Sequence, residues 1–506
     1  MGIEVGIVFN YRELPDVSQF PFVIHKKVNG TGVKKGQFVQ TETSEGLLVG
    51  YIEKIVLLNE YFSDALTIKA YSNEGSVDAL KGLFPSEDFE YAVAIVRNLG
   101  IFDDDDSLKS QKVKRMTYPA SPGKKVYFLE KDTLEIFLGL NPEKGIRVGN
   151  VKNSDVEANI DMDRLLNKHF AVLSVSGGGK SYLVSVIIEE LLTRNIDNGI
   201  PAIVLIDVHG EYTYLQSVSK LKHKVHVKDA SYFQLSVPNM NAYSFKKYQE
   251  QITQVQLREL RKCIKHLKKD ETNKNAYSLQ DIIKEVEREI EGNKSTKQAL
   301  LGWLSELERL TLFGHQENPV LKSSVKQGQL TIFNLQNEIS IRKKQIIVDY
   351  ICQRLFYLRR IGKIPPFLII IEEAHQFCPE AAQSKALSKH IIETIAREGR
   401  KFMACLCLIS QRPKKLSATA LSQLNSKAIL NIKNPYDLKH LMDSSEKITK
   451  DSANMISSLG VGEMLLMGNA INYPIYIDVR ERKFKSKSEN LSLSQVCLNW
   501  KEQHLS

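Results

Sequence analysis

The chain has 506 residues, 42% of them hydrophobic, with 69 Lys plus Arg against 59 Asp plus Glu. That length predicts about three domains and a core that needs no disulfide or metal staple, and the composition excludes disordered, collagenous and low-complexity chains. No apolar run approaches the roughly 20 residues of a membrane helix, and Met1-Gly2-Ile3-Glu4 lacks the charged and apolar segments of a signal peptide, so a cytoplasmic protein is expected.

The first 150 or so residues read as β structure. Short apolar or alternating runs at Val5–Phe9, Phe20–His25, Gln37–Thr41, Leu47–Ile55, Tyr91–Val96, Val126–Leu129 and Leu134–Leu138 are separated by Gly and Pro signals such as Asn29-Gly30-Thr31-Gly32 and Pro122-Gly123. Many short strands at this spacing predict a small barrel or sandwich over residues 1–157. The acidic run Asp103–Asp106 reads as a solvated loop.

Over 158–480 the pattern changes. Apolar runs at Phe170–Val175, Ala202–Ile206, Leu330–Leu335, Phe367–Ile371 and Met403–Ile409 alternate with helical periodicities. Continuous apolar strands between helices predict a parallel sheet covered on both faces. A charged, helical insertion without a strand candidate occupies about 244–317. Within it Leu257, Leu260, Ile264 and Leu267 recur at helical spacing beside Arg258, Arg261, Lys262, Lys265, Lys268 and Lys269. Such a basic face is solvated or touches phosphates. Residues 481–506 form a basic, then Ser/Leu-rich tail. Of six cysteines none forms a CxxC pair, which fits a reducing compartment and argues against Cys-ligated zinc.

Five short motifs carry chemistry. Ser174-Val175-Ser176-Gly177-Gly178-Gly179-Lys180-Ser181 lies between an apolar strand and a helical pattern, the context of a phosphate-binding loop. Glycines let backbone N–H groups turn toward phosphate oxygens, and the helix N-terminus adds its dipole. Lys180 then meets the β- and γ-phosphates of ATP, and the Ser181 hydroxyl ligates Mg2+. Ser174 stands where the motif's first glycine is expected. In Phe367-Leu368-Ile369-Ile370-Ile371-Glu372-Glu373-Ala374-His375 two adjacent acids end a buried strand, a costly placement without a positive partner. Glu372 would hold Mg2+ and Glu373 would polarise the attacking water, provided the strand ends or twists there, since neighbours on a strand face opposite ways. The plainer reading is a Glu-Glu pair opening a helix.

Arg397 and Arg400, in Ala396-Arg397-Glu398-Gly399-Arg400-Lys401, sit three apart before the strand at Met403. They read either as an arginine finger for a neighbouring subunit's nucleotide or as a basic helix end capped by Gly399. Gln411, directly after that strand, is placed to sense the γ-phosphate, or simply opens the turn closed by Pro413. Asp207, in Asp207-Val208-His209-Gly210-Glu211-Tyr212, ends another central strand, where open α/β sheets bind ligands. One Asp and one His are too few for a metal site, so a supporting role near Mg2+ or the water is preferred.

In this order the five motifs resemble the HerA branch of the HerA/FtsK ATPases. Gly36-Gln37-Phe38-Val39 and Asn59-Glu60-Tyr61-Phe62 are similar to motifs of that family's N-terminal barrel, and Gly460-Val461-Gly462-Glu463 to a C-terminal element. The resemblance implies a RecA-like P-loop ATPase domain with a helical insertion, preceded by a small β-barrel. It also implies a homo-hexameric ring that uses ATP and Mg2+ to move double-stranded DNA. Carried over, Ser176, Gly177, Gly178, Gly179, Lys180, Ser181 and Asp207 serve the nucleotide, and Ser181 and Glu372 the metal. Glu373 is the base, Gln411 the sensor, and Arg397 or Arg400 the trans finger. The family's usual partner is a NurA-like nuclease in DNA end processing. Some relatives instead hold another effector, a nuclease or sirtuin-type NADase, in phage defence, with the ring as a nucleotide-gated scaffold. Ten surplus positive charges, weak in one chain, would then be multiplied around one channel.

Overall fold

The structure, a computed structural model, describes residues 2–11, 14–25, 32–59, 90–102, 113–269, 276–290, 294–380, 385–443 and 450–484, with residues 68, 69, 494, 495 and 500 besides. The Asp103–Asp106 run, Glu60-Tyr61-Phe62 and most of the basic tail lie outside the described residues. The chain divides into two compact units, Met1–Asp161 with Ile471–Asp478, and Met162–Ala470 with Val479–Ser506.

The first unit opens with six strands, β1 (Glu4–Val8), β2 (Gln19–Ile24), β3 (Phe38–Thr43), β4 (Gly46–Asn59), β5 (Glu90–Phe102) and β6 (Lys125–Phe128). They close into the expected barrel in the order β1-β2-β5-β4-β3-β6. Alternation sends Phe20, Phe22, Leu48, Ile52, Ala94 and Val96 into its core. The long β4–β5 ladder slips register between Val49 and Gly50 and between Ile52 and Lys54, and such bulges bend strands enough to close a barrel.

Leu134–Leu138, expected as a seventh strand, is instead part of a helix, α1 (Lys131–Leu138). Its buried residues Leu134, Phe137 and Leu138 recur at three and four, the helical spacing. Gly139 at φ 71° then ends the helix, donating its N–H to Glu135 and Ile136. Antiparallel β7 (Ile146–Val151) and β8 (Glu157–Ile160) follow.

The second unit is built on β9 (Phe170–Leu173), α2 (Lys180–Thr193), β10 (Ala202–Asp207), β11 (Val225–Asp229), β12 (Leu235–Ser236), α3 (Ala242–Tyr248), α4 (Gln254–Lys269), α5 (Leu279–Glu289), α6 (Lys294–Glu308), β13 (Phe313–Gly314), β14 (Leu330–Asn334), α7 (Ile341–Arg360), β15 (Phe367–Ile371), α8 (Lys389–Glu398), β16 (Ala404–Ser410), β17 (Ser426–Ile429) and β18 (Glu463–Gly468). Strand order runs β11-β14-β10-β15-β16-β9-β17-β18. Neighbours are parallel except β17 and β18. Every residue of β9, β10, β15 and β16 is buried, as a sheet covered on both faces requires.

The insertion is helical over α3 to α6. One correction applies there: β13 lies inside it and pairs in parallel with β12, a two-residue ladder too short to leave a periodic signal. Buried Leu257, Leu260, Cys263, Ile264 and Leu267 confirm the apolar face expected of α4.

The last strand, β19 (Ile475–Val479), follows in the order β19-β7-β8. Its segment is fixed within the first unit by a Lys152 N–H donating to the Tyr476 carbonyl at 2.8 Å. The Tyr473 ring stacks on Phe137 with centroids 4.6 Å apart, and its hydroxyl donates to Leu99 O at 2.7 Å.

Candidate nucleotide-binding and hydrolysis site

Parallel strands present all their C-terminal ends at one edge, and here that edge gathers the motif residues. β9 leads into the glycine loop, whose Gly177 and Gly179 take φ 73° and 91°, values L-residues with a Cβ rarely hold. α2 starts at Lys180, so the loop closes directly onto a helix N-terminus. Ser174, the departure from the motif, is fully buried beneath the loop. Its Oγ donates to the Val175 carbonyl at 3.0 Å and fills the space a Cβ on Gly178 would enter, at 2.0 Å. The substitution therefore keeps the loop's curvature and makes glycine obligatory at 178.

Lys180 is 8% exposed, and its Nζ donates to Val175 O at 3.0 Å. Burial pulls its pKa down, while the carboxylates of Glu373, Glu211 and Glu372 oppose that shift. Asp207 is fully buried and accepts the backbone N–H groups of Gly210, Glu211 and Tyr212 at 2.7, 3.1 and 3.1 Å. It thereby shapes the loop that follows β10. Glu372 Oε2 accepts the Val208 N–H at 2.9 Å. Burial raises the pKa of Glu372, and the Asp207 and Glu211 charges raise it further. Burial likewise raises that of Asp207, against its three N–H donors and its hydrogen bond with Glu372.

β15 ends at Ile371, and Glu373 takes φ 46°, ψ 43°. This left-handed residue is how two adjacent acids reach one site. A strand continuing through them would have sent one away, and a non-glycine residue held there is strained by about 1–2 kcal/mol. Glu373 Oε1 accepts the Gln411 side-chain amide, and Oε2 lies 3.2 Å from His375 Nδ1. His375 Nδ1 is also 3.3 Å from Ser410 Oγ. Burial lowers the His375 pKa, the Glu373 charge raises it, and Arg412, Lys415 and Lys180 lower it again. Gln411 follows β16 directly, so Glu373 and Gln411 are carried just beyond the ends of two adjacent strands.

Three carboxylates, those of Glu373, Glu211 and Glu372, thus act on the one ammonium of Lys180. That surplus of negative charge, with the Ser181 hydroxyl at the loop's end, is a hard-oxygen donor set suited to Mg2+. The glycine loop and helix N-terminus suit phosphate, so the residues present fit both Mg2+ and ATP.

Arg397 and Arg400 are not in this cluster. α8 ends at Glu398, and a tight turn over Gly399–Phe402 carries Arg400. Both arginines are exposed. They precede β16 and so lie at the N-terminal edge of the sheet, a seven-residue strand away from Gln411, about 20 Å. Gly399 does not act as a left-handed helix cap; its φ is −56°. It is required because a Cβ there would sit 2.4 Å from Ala404 O, and Met403 takes the left-handed turn instead, at φ 52°.

Two participants stood in the motifs without a role. His375 and Glu211 were each flagged only by adjacency to an assigned acid. The segment after β19 read only as a basic tail, with no sign of its partner. The buried Glu189 of α2 accepts Arg480 at 3.3 Å and the N–H groups of Lys483 and Phe484 at 2.8 and 3.0 Å. Arg482 stacks 4.5 Å over Tyr182, the residue after Ser181. The described part of the basic tail is therefore spent on the phosphate-loop helix.

Residues 146–355 match a family model described as the central domain of helicase HerA. The chain is 27% identical over 483 residues to a probable helicase (MJ1565) of Methanocaldococcus jannaschii, covering 92% of this chain and 89% of that one. It is 26% identical over 538 residues to the DNA double-strand break repair helicase HerA of Pyrococcus furiosus, covering 94% and 92%. VirB4 of Thermoanaerobacter pseudethanolicus shares the fold, with a TM-score of 0.52 at 14% identity over 68% of this chain and 98% of that one. Fold and site together define a P-loop ATPase with a RecA-like motor and an N-terminal barrel. Within that class the chain is similar to the HerA helicases, the family its five motifs resemble. Among the described residues no helix is long and apolar enough to cross a membrane.

Proposed function

We propose that the chain is an ATP-hydrolysing, ring-forming translocase of double-stranded DNA, hexameric, that works with a NurA-like nuclease in DNA end processing. One observation carries the motor part. Lys180, Asp207, Glu372, Glu373 and Gln411 converge at one edge of the sheet, while Arg397 and Arg400 stand at the other. An arginine side chain spans only a fraction of the strand between them, so these two serve a nucleotide held by another copy. That supports a ring with ATP at each subunit interface. The DNA substrate is supported by the helicase relatives.

In this reading the loop from Ser176 to Gly179 wraps the phosphates with its N–H groups, and Lys180 neutralises the β- and γ-oxygens. Ser181 and Glu372 would hold Mg2+, which when bound offsets charge building on the transferred phosphoryl group. Glu373 orients and deprotonates the attacking water. Gln411 is hydrogen-bonded to that same carboxylate, so a γ-phosphate that draws Gln411 away changes what holds the base. Asp207 keeps the neighbouring loop in place.

The test measures ATP hydrolysis with and without duplex DNA, on protein sized by light scattering. The expected result is a closed oligomer whose turnover rises with DNA. Lys180→Ala should lose nucleotide binding, and Glu373→Gln should bind ATP but not turn it over. A DNA-indifferent monomer would overturn the reading, and an oligomer indifferent to DNA but active with an effector enzyme would support the gated scaffold instead.

A further inference from the structure

The exposed side of α4 carries a charge pattern that the motor does not use. Arg258, Arg261, Lys262, Lys265, Lys268 and Lys269 are all exposed. At 3.6 residues per turn they fall within an arc of about 120° and a length of about 17 Å. Helix neighbours three and four apart touch, so Arg258 meets Arg261 and Lys262. Lys265 likewise meets Arg261, Lys262, Lys268 and Lys269. Each of these pairs repels, and the stripe therefore works against its own helix. Among the described residues the acid at its margin, Glu259, relieves Lys262 at 3.0 Å and Arg258 at 3.3 Å. Nearby acids of α5 are occupied elsewhere. Glu285 holds His266 at 2.5 Å and Arg288 at 2.9 Å, and Glu289 holds Arg288 at 3.2 Å. Arg261 lies 4.8 Å over the ring of Tyr243, which is 58% exposed, so its guanidinium is presented flat and pre-organised.

We propose that this stripe is a contact for the sugar-phosphate backbone of duplex DNA, on the helical insertion and separate from the nucleotide edge of the sheet. The inference rests on the translocase reading. A row of about 17 Å matches the axial rise of about five phosphates on one strand. It offers charge without base-edge readers, as a motor that moves along any sequence requires.

The experiment titrates a short labelled duplex with the full chain across a salt series, alongside basal ATP hydrolysis without DNA. Arg261→Glu, Lys265→Glu and Lys268→Glu together should make the slope of log K against log salt shallower by about 3, and weaken binding at 100 mM salt roughly 100-fold or more. Basal hydrolysis should be unchanged, since none of the three touches the nucleotide site. The charge-preserving set Arg261→Lys, Lys265→Arg and Lys268→Arg should keep the wild-type slope. A reversed-charge protein with normal basal hydrolysis and a wild-type slope would overturn the stripe and leave the translocase reading standing, as would a stripe that serves an acidic protein. A wild-type chain that neither binds duplex at 50 mM salt nor hydrolyses faster with it would overturn both.

Discussion

Ser174 and Gly178 meet across the base of the phosphate loop, and their pairing makes a direct test. Gly178→Ala places a Cβ about 2.0 Å from Ser174 Oγ, an overpacking on the order of 1–3 kcal/mol. ATP affinity should drop roughly 10- to 100-fold. Ser174→Gly removes that hydroxyl, so the double substitution should recover part of the loss in a nucleotide titration. A double variant as weak as the single one would place the clash on Val175 O, 3.2 Å from the same point. The pattern shows how a motif can lose one glycine and keep its geometry: the hydroxyl is turned under the loop and never reaches the phosphate side.

His169 offers a second test, in pH. It is 2% exposed, its Nδ1 accepts the Leu406 N–H at 3.0 Å, and burial pushes its pKa down to about 4. Between the ordinary value near 6.5 and about 4 the unfolded chain binds more protons at this site than the folded one, so stability rises with pH there. The contribution is complete above about pH 6.5 and lost as pH falls toward 4. At pH 5 the loss is about 2 kcal/mol. Urea unfolding at pH 7 and pH 5 should show that difference in the wild type, and His169→Gln should lack it.

Among the elements, the segment after β19 is the one whose role was least visible in the chain. Glu189 is fully buried and its guanidinium partner Arg480 lies 291 residues away, a pairing no local spacing can announce. Removing one partner of a buried pair leaves an uncompensated charge, at a cost of about 3–5 kcal/mol. Arg480→Ala should therefore lower the urea midpoint sharply, and Arg480→Ala with Glu189→Gln should cost less than the two changes added. Equal and additive losses would mean the two side chains act independently.

The motor strands were legible for the opposite reason. Runs such as Phe367–Ile371 are buried on both faces, so every residue reports the strand. Edge strand β11, where His226 and Lys228 alternate with Val225 and Val227, reports half as much. Leu134–Leu138 misled because five residues with four large apolar side chains fit either period, and only Gly139 decides. The acids and Gln411 were legible because each ends an apolar run. The convergence of Glu372 and Glu373 was not, since it depends on one left-handed residue. The exposed arginines were found by pattern, but their distance from their own site follows only from strand direction.

For the whole molecule, that distance predicts a mixing result. Rings built from Arg397→Ala or Arg400→Ala protomers, and rings built from Lys180→Ala protomers, should each hydrolyse ATP poorly. Mixed rings should regain activity, because some interfaces join an intact loop to an intact arginine. The arginine whose loss is rescued is the finger, and intact mixed rings without recovery would assign both arginines to another role.

The return of Ile471–Asp478 to the first unit has a consequence for how the protein is made. A ribosome delivers residues 1–161 roughly 300 residues before the strand that joins β7 and β8. At about 5–20 residues per second that is a wait of about 15–60 seconds. Throughout it the nascent first unit has an open sheet edge at β7, and the whole motor must emerge before that edge is filled. The two units are thus nested in time, and no single break in the gene separates them.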